Sequence, residues 1–248
     1  VTFSDTYSAK NQKAALMMSV NKQLNHDPPI SWTCYSPEGA EGAGNSNLAL
    51  GVNGRDAIDL YIQDPGTGNG FVGHRRWIFY PQTQTMGTGD IPASNGFAPA
   101  NSLWVFDGNY GGPRPVTREE FVAWPPPGYV PYQVTYRRWS FSYPGADFSS
   151  AAVTMTLDGV SLPVTLGPLA TGYGENTLVW SPEGIDFVEG INRETWPVPA
   201  KDTAYRVTIN NVIISGVSRN FAYSVTVFDP AAPGLGHAPA GPMMLLLE

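Results

Sequence analysis

Gly73-His74-Arg75-Arg76-Trp77-Ile78-Phe79-Tyr80-Pro81 is the stretch on which the reading of this chain turns. It puts an imidazole at the head of an apolar, aromatic run, and Arg76–Tyr80 reads as a short strand. Upstream, a second imidazole sits in Leu24-Asn25-His26-Asp27-Pro28-Pro29. Between the two runs Gly44-Asn45-Ser46-Asn47-Leu48-Ala49-Leu50-Gly51. The chain has three histidines, and the third, His237, lies in an Ala/Gly/Pro-rich tail. Brought together in space, His26 and His74 would line one cleft.

Working outward, residues 8–24 read as a helix. Good helix formers dominate, and Ala14, Leu16, Met17, Val20 and Leu24 form an apolar stripe, with Asp5 or Ser8 as cap. A second helix fits 54–63, with Asp56 as its N-cap and Pro65-Gly66 as its stop. Ser102–Phe106 reads as a strand, and the Gly/Ala/Ser/Pro-rich stretch 87–100 as a loop. Trp124-Pro125-Pro126-Pro127-Gly128-Tyr129-Val130-Pro131 excludes helix and interior strand, and marks a domain boundary. Beyond it the apolar period becomes two, over 132–143, 151–157, 160–166, 177–180, 205–210 and 223–228. Asp158-Gly159 is a strong hairpin signal between two of these runs. Such a set of short strands suggests an all-β sandwich. Ser36-Pro37-Glu38-Gly39 and Ser181-Pro182-Glu183-Gly184 read as similar type I turns.

Of 248 residues, 42% are hydrophobic and only 14% charged, so the chain can build a sizeable core and is not a disordered protein. Its formal net charge of −7 and lack of a basic stripe argue against nucleic acid as partner. No apolar run is long enough to span a membrane. The single cysteine, Cys34, beside Trp32 and Tyr35, excludes an internal disulfide framework and reads as a small core residue. The opening reads as cut from a longer precursor, and Met243–Glu248 as a truncation or cloning scar.

Three segments carry a family resemblance. Leu24-Asn25-His26, Gly44–Gly51 and Gly73–Ile78 resemble, in order, the first-histidine, "GENIAxG" and "GHRxNI" motifs of the CAP superfamily in its bacterial form (cysteine-rich secretory, antigen 5 and pathogenesis-related-1 proteins). The resemblance covers roughly residues 1–110, with the family's first helix falling upstream of Val1. It implies a CAP-like α-β-α sandwich, which we take over 1–128; with the strand pattern read as an immunoglobulin- or fibronectin-III-like β-sandwich over 132–229 and the Ala/Gly/Pro-rich stretch 230–248 as a loose tail, the expected class is α+β. It further implies a cleft in which His26 and His74 match the family's two histidines. Of the two family acids, one falls on Ser46 and the other on Asp64. A divalent metal such as zinc would then have three ligands, His26, His74 and Asp64, with Glu38 and Glu41 as substitutes.

Three functions stay open on these residues. The leading one is a secreted or cell-surface binding protein whose cleft holds a small ligand, a lipid or a cell-surface polymer end. The second is a hydrolase or peptidase, either metal-assisted or built from Ser46, a histidine and Asp64. The third is a structural or adhesive surface protein. Blander readings stand beside them. His26 could bond a nearby carbonyl, His74 could be a buried histidine satisfied by backbone, and Asn47 could be a turn residue. Arg75-Arg76-Trp77 and Arg137-Arg138-Trp139 could be strand faces with stacked arginines.

Overall fold

The computed structural model describes residues 1–94, 96–190 and 193–232. The end of the chain, with His237 and the suspected scar, lies outside them, as does most of the tail read as loose. By its contacts the chain divides into two units. One comprises Val1–Ile62 and Trp77–Val116; the other comprises Gln63–Arg76 and the chain from Thr117 onward. Mixed helix and sheet make the class α+β.

Elements of the N-terminal stretch are β1 (Thr2–Phe3), α1 (Asp5–Asn21), α2 (Pro37–Gly44), β2 (Ser46–Leu50), α3 (Arg55–Gln63), a 3-10 turn (Thr67–Asn69), α4 (Gly73–Ile78), β3 (Thr85–Ile91) and β4 (Ala100–Trp104). The four strands form one sheet in the order β1-β3-β4-β2, parallel only at β1–β3. Helix α1 starts earlier than its apolar stripe suggested, because Ser4 caps it by accepting from the Tyr7 N–H at 3.3 Å. It ends at Lys22, whose φ of 52° lets its N–H turn back onto helix carbonyls.

Gly87 and Gly89 lie two apart on β3, so they share a face. A Cβ on Gly87 would lie 2.5 Å from Tyr7, and one on Gly89 2.2 Å from the Asn11 backbone. Helix α1 therefore rests directly on the strand, and the glycines are what admit it. This corrects the loop reading of 87–100: the glycines mark close helix–strand packing, and the strand runs through to Ile91. Gly42 does the same between α2 and α1, its absent Cβ 2.8 Å from the Lys10 carbonyl. The cores around this sheet are built of small and medium side chains, Ala14, Ala15, Met18, Ala43, Leu48 and Ala100 in one cluster.

Other N-terminal readings change too. Arg76–Tyr80 is not a strand; the run is helical from Gly73 to Ile78, and Arg75 and Arg76 are buried rather than laid on a strand face. Trp77 packs edge-on against Phe106 at 4.5 Å, so the aromatic run supplies core contacts from a helix. Ser36-Pro37-Glu38-Gly39 opens α2, with Ser36 as N-cap and Pro37 in the first turn, a start signal that mimics a turn. Asn47 is no turn residue; it is buried in β2. Cys34 is exposed, with a φ of 62°, so it is not core.

Downstream come β5 (Val122–Trp124), β6 (Gly128–Pro131), a 3-10 turn (Tyr132–Val134), β7 (Trp139–Ser142), β8 (Ala152–Leu157), β9 (Val160–Leu162), β10 (Val164–Leu166), β11 (Thr177–Pro182), β12 (Val188–Gly190), β13 (Arg193–Thr195), β14 (Thr203–Ile214) and β15 (Val217–Phe228). Two larger sheets run β10-β11-β7-β5 and β6-β15-β14-β8-β9. The proline-rich segment joins β5 to β6, and each is an edge strand, the place where a missing N–H is tolerated. Leu157 pairs with Val160 across Asp158-Gly159, whose φ values of 50° and 81° give the hairpin turn read from the sequence. Side chains of both sheets meet in one core holding Trp139, Phe141 and Trp180 from one and Met155, Val207, Ile209 and Val225 from the other.

Candidate functional site

Helix α3 stops at Gln63, and Asp64 takes a left-handed φ of 53°. That conformation is costly for most residues and mildest for Asn and Asp. It turns the chain back so that one carboxylate meets His74 twice. The His74 backbone N–H donates to Asp64 Oδ2 at 2.9 Å, and the ring Nδ1 lies 2.8 Å from Oδ1. Asp64 is 1% exposed, while the His74 side chain is 33% exposed. A carboxylate oxygen accepts, so Nδ1 is the donor of this bond and Nε2 is the ring nitrogen left facing outward from it. A carboxylate orients a metal-binding or basic imidazole by this same bond.

Gly73 is required by its surroundings. A Cβ there would lie 2.7 Å from the Phe71 ring and 3.2 Å from that of Tyr173. Those rings pack 4.5 Å apart, and the Arg76 guanidinium lies 5.6 Å from the Tyr173 ring centre. Arg76 also donates to the carbonyls of Ala170 and Glu175, both at 3.0 Å. Arg75 donates to the carbonyls of Arg138 (2.8 Å) and Gln63 (3.3 Å) and to Ser140 Oγ (3.1 Å). Arg138 in turn donates to the carbonyls of Asp64, Gly66 and Asn69. Burial pushes the Arg75 guanidinium down to about 9, a fall that the nearby Asp64 charge opposes. Burial lowers Arg138 as well, again against the pull of Asp64. Both stay charged at neutral pH.

His26 and Ser46 belong to the other unit. His26 follows α1 in a bend, and its Nδ1 lies 2.9 Å from the carbonyl of Ala43 in the last turn of α2. A carbonyl also only accepts, so this imidazole too carries its proton on Nδ1. Ser46 opens β2 at 3% exposure and donates from Oγ to Asn11 Oδ1 at 3.0 Å. Asn11, from α1, passes its amide proton to the carbonyl of Gly87 at 2.9 Å. Glu38 and Glu41 pair with Lys13 (3.6 Å) and Lys10 (2.5 Å). Among the described residues no three His, Cys, Asp or Glu side chains are grouped to hold a metal ion.

The structure thus joins His74 to Asp64, and gives His26 and Ser46 each a separate partner. Reading the sequence missed Asn11 and Arg138. Asn11 looked like one more polar helix position, and its amide is intelligible only once Gly87 and Gly89 bring α1 onto β3. Arg138 gave a signal, the doublet Arg137-Arg138 before Trp139, but its partners lie far back in the chain.

Residues 1–107 match the family model of the CAP, or cysteine-rich secretory protein, family. A CAP domain is thus supported over those residues. No curated protein matches it. Among solved structures, the CAP-bearing chain is similar to two crystal structures of PcoC, a copper resistance protein from Escherichia coli described as methionine-rich. Each is 16% identical with a TM-score of 0.29, and the match covers 42% of this chain and 92% and 94% of theirs. At that score the likeness supports nothing further. No helix among the described residues is long and apolar enough to cross a membrane.

Proposed function

We propose that this CAP-domain chain is an exported or cell-surface binding protein, and that His74, oriented by Asp64, is the group it presents to a ligand. The observation that carries this reading is the pair of hydrogen bonds from His74 to Asp64, one from the backbone N–H and one from Nδ1. A buried carboxylate that fixes the tautomer of a partly exposed ring prepares one basic nitrogen for a partner. His26, in the other unit, likewise hydrogen-bonds through Nδ1. The ligand class is a small molecule, a lipid or the end of a surface polymer. The β-rich half reads as an immunoglobulin- or fibronectin-III-like sandwich, supported by two sheets sharing one core.

The hydrolase alternative has weaker support. The Ser46 proton is directed at Asn11 Oδ1, where a nucleophile would give it to a base. A zinc centre with an open position uses three protein ligands, and each Asp64 oxygen already accepts from His74.

Three histidines give three imidazole Cε1 signals in a carbon–proton NMR spectrum. We expect either oleate vesicles or soluble peptidoglycan fragments to shift the signals of His74 and His26 saturably, leaving His237 in place. If neither additive moves His74, the binding reading fails. If Zn²⁺ alone moves both rings, the metal-assisted alternative replaces it.

A further inference from the structure

Segment 63–76 lies inside the stretch that matches the CAP family, yet it packs as part of the C-terminal unit. Between α3 and α4 it has only a single 3-10 turn, Thr67–Asn69. Two of its residues, Asp64 and Val72, hold left-handed φ values of 53° and 50°, and Val72 is β-branched and fully buried. Backbone of that kind persists only where its surroundings over-determine it. Two arginines brace the segment at its ends and along the carbonyls between them. Arg75, next to His74, donates to the Arg138 carbonyl, while Arg138, just before β7, donates to the carbonyls of Asp64, Gly66 and Asn69. A planar fork of five N–H donors can span several carbonyls, whereas a lysine ammonium is a single point charge.

We propose that Arg75 and Arg138 are positioning residues for the Asp64–His74 pair, so that the start of β7 is a working part of the His74 site and the β-rich half is no mere spacer. This rests on the reading of His74 as the ligand-facing group. The Arg138 guanidinium holds Asp64 by its own carbonyl, Asp64 holds the His74 ring and amide, and Arg75 closes the loop back onto Arg138. A purely structural arginine would change stability alone; a positioning one changes the state of the His74 ring.

The test uses the full chain without ligand, so its failure is distinct from failure of the binding reading. Nitrogen-15 shifts of the His74 ring report the tautomer, and hydrogen exchange reports the bond from its amide to Asp64. We expect Arg138→Ala to depopulate the Nδ1–H tautomer and to speed His74 amide exchange about tenfold or more. Arg138→Lys should restore part of both, and Arg219→Ala, which removes a surface pair with Glu120, should change neither. Wild-type values in Arg138→Ala would overturn the proposal. Should that variant not fold, native-state exchange of the unaltered protein decides. The proposal requires the His74 amide to open with the amides of Phe141 and Val179 on β7 and β11; opening with those of α1 overturns it.

Discussion

The two units solve the packing problem from opposite ends. Around α1 the contact is made by removing side chains: Gly87, Gly89 and Gly42 leave room for backbone to meet backbone, and the adjoining cores are alanine-rich. In the β-rich unit the contact is made by filling space. Trp139, Trp180 and Trp196 are each 1% exposed or less, and the Trp139 ring lies 5.5 Å from Trp196 and 6.0 Å from Tyr205. Similar compactness is reached with opposite sensitivities. One unit should fail when a methyl is added, the other when a ring is taken away.

The largest effect should come from Trp139→Ala. Removing a fully buried indole leaves a cavity that stiff sheets cannot close, a loss of about 3–5 kcal/mol. Denaturant unfolding followed by exchange at β7 and β14 amides measures it. A loss below about 1 kcal/mol would mean that the core repacks freely, and the contrast between the units would collapse.

Gly89→Ala should come next, at about 2–3 kcal/mol, because the new methyl would meet the Asn11 backbone and not a movable side-chain end. Exchange should rise at α1 amides. A neutral result would show that α1 stands off the strand, and would break the comparison from the other side.

How much of this was legible follows from the range of the signals. Asp158-Gly159 announced its hairpin because two adjacent residues determine the turn. The prolines of 125–131 excluded helix and interior strand because the missing N–H is a local fact, and the strands on either side of them are edge strands. Gly87 and Gly89 misled because their reason lies in α1, some eighty residues away, and a glycine looks the same in a loop as under a helix. Arg75 and Arg76 misled likewise. Followed by Trp77-Ile78-Phe79 they suggest a strand, yet the segment is helical and their guanidiniums are spent on carbonyls far along the chain. At the site, His74 and Asp64 were legible through their spacing within a known motif pattern, and they do meet. The Asn11 partner of Ser46 was not, since no rule of spacing links a mid-helix amide to the start of a strand.

A smaller effect sharpens the comparison through pH. In the glycine-packed unit, Asp107 is 6% exposed. Burial alone would raise its carboxyl, but the N–H groups of Gln84, Thr85 and Asn109 and the Asn109 amide bind the charged form and hold it below the ordinary value. A depressed folded value means stability that is present above the unfolded value, near 3.9, and is lost as pH falls through the folded one. We expect that unit to weaken below about pH 4, and Asp107→Asn to cost about 1–2 kcal/mol at neutral pH while flattening the acid dependence. An unchanged acid limb in the variant would assign the dependence to another carboxylate.

The smallest effect separates structure from chemistry at Ser46. Its hydroxyl is buried and donates to Asn11 Oδ1, which ties β2 to α1 beside the glycine contact. Ser46→Ala deletes one neutral hydrogen bond and leaves one acceptor on Asn11 that has a second lone pair, so the loss should be about 1 kcal/mol. Asn11→Ala should lose more, because it abandons both Ser46 and the Gly87 carbonyl. The ordering matters more than either value. A tie between helix and strand predicts that stability falls in that order while slow hydrolysis of p-nitrophenyl acetate, if the chain shows any, stays level in Ser46→Ala. A nucleophile predicts the reverse, intact stability with turnover down by orders of magnitude. Since the same two variants report both quantities, the outcome assigns Ser46 to the packing of the first unit or to a reaction, and it does so without any knowledge of the natural ligand.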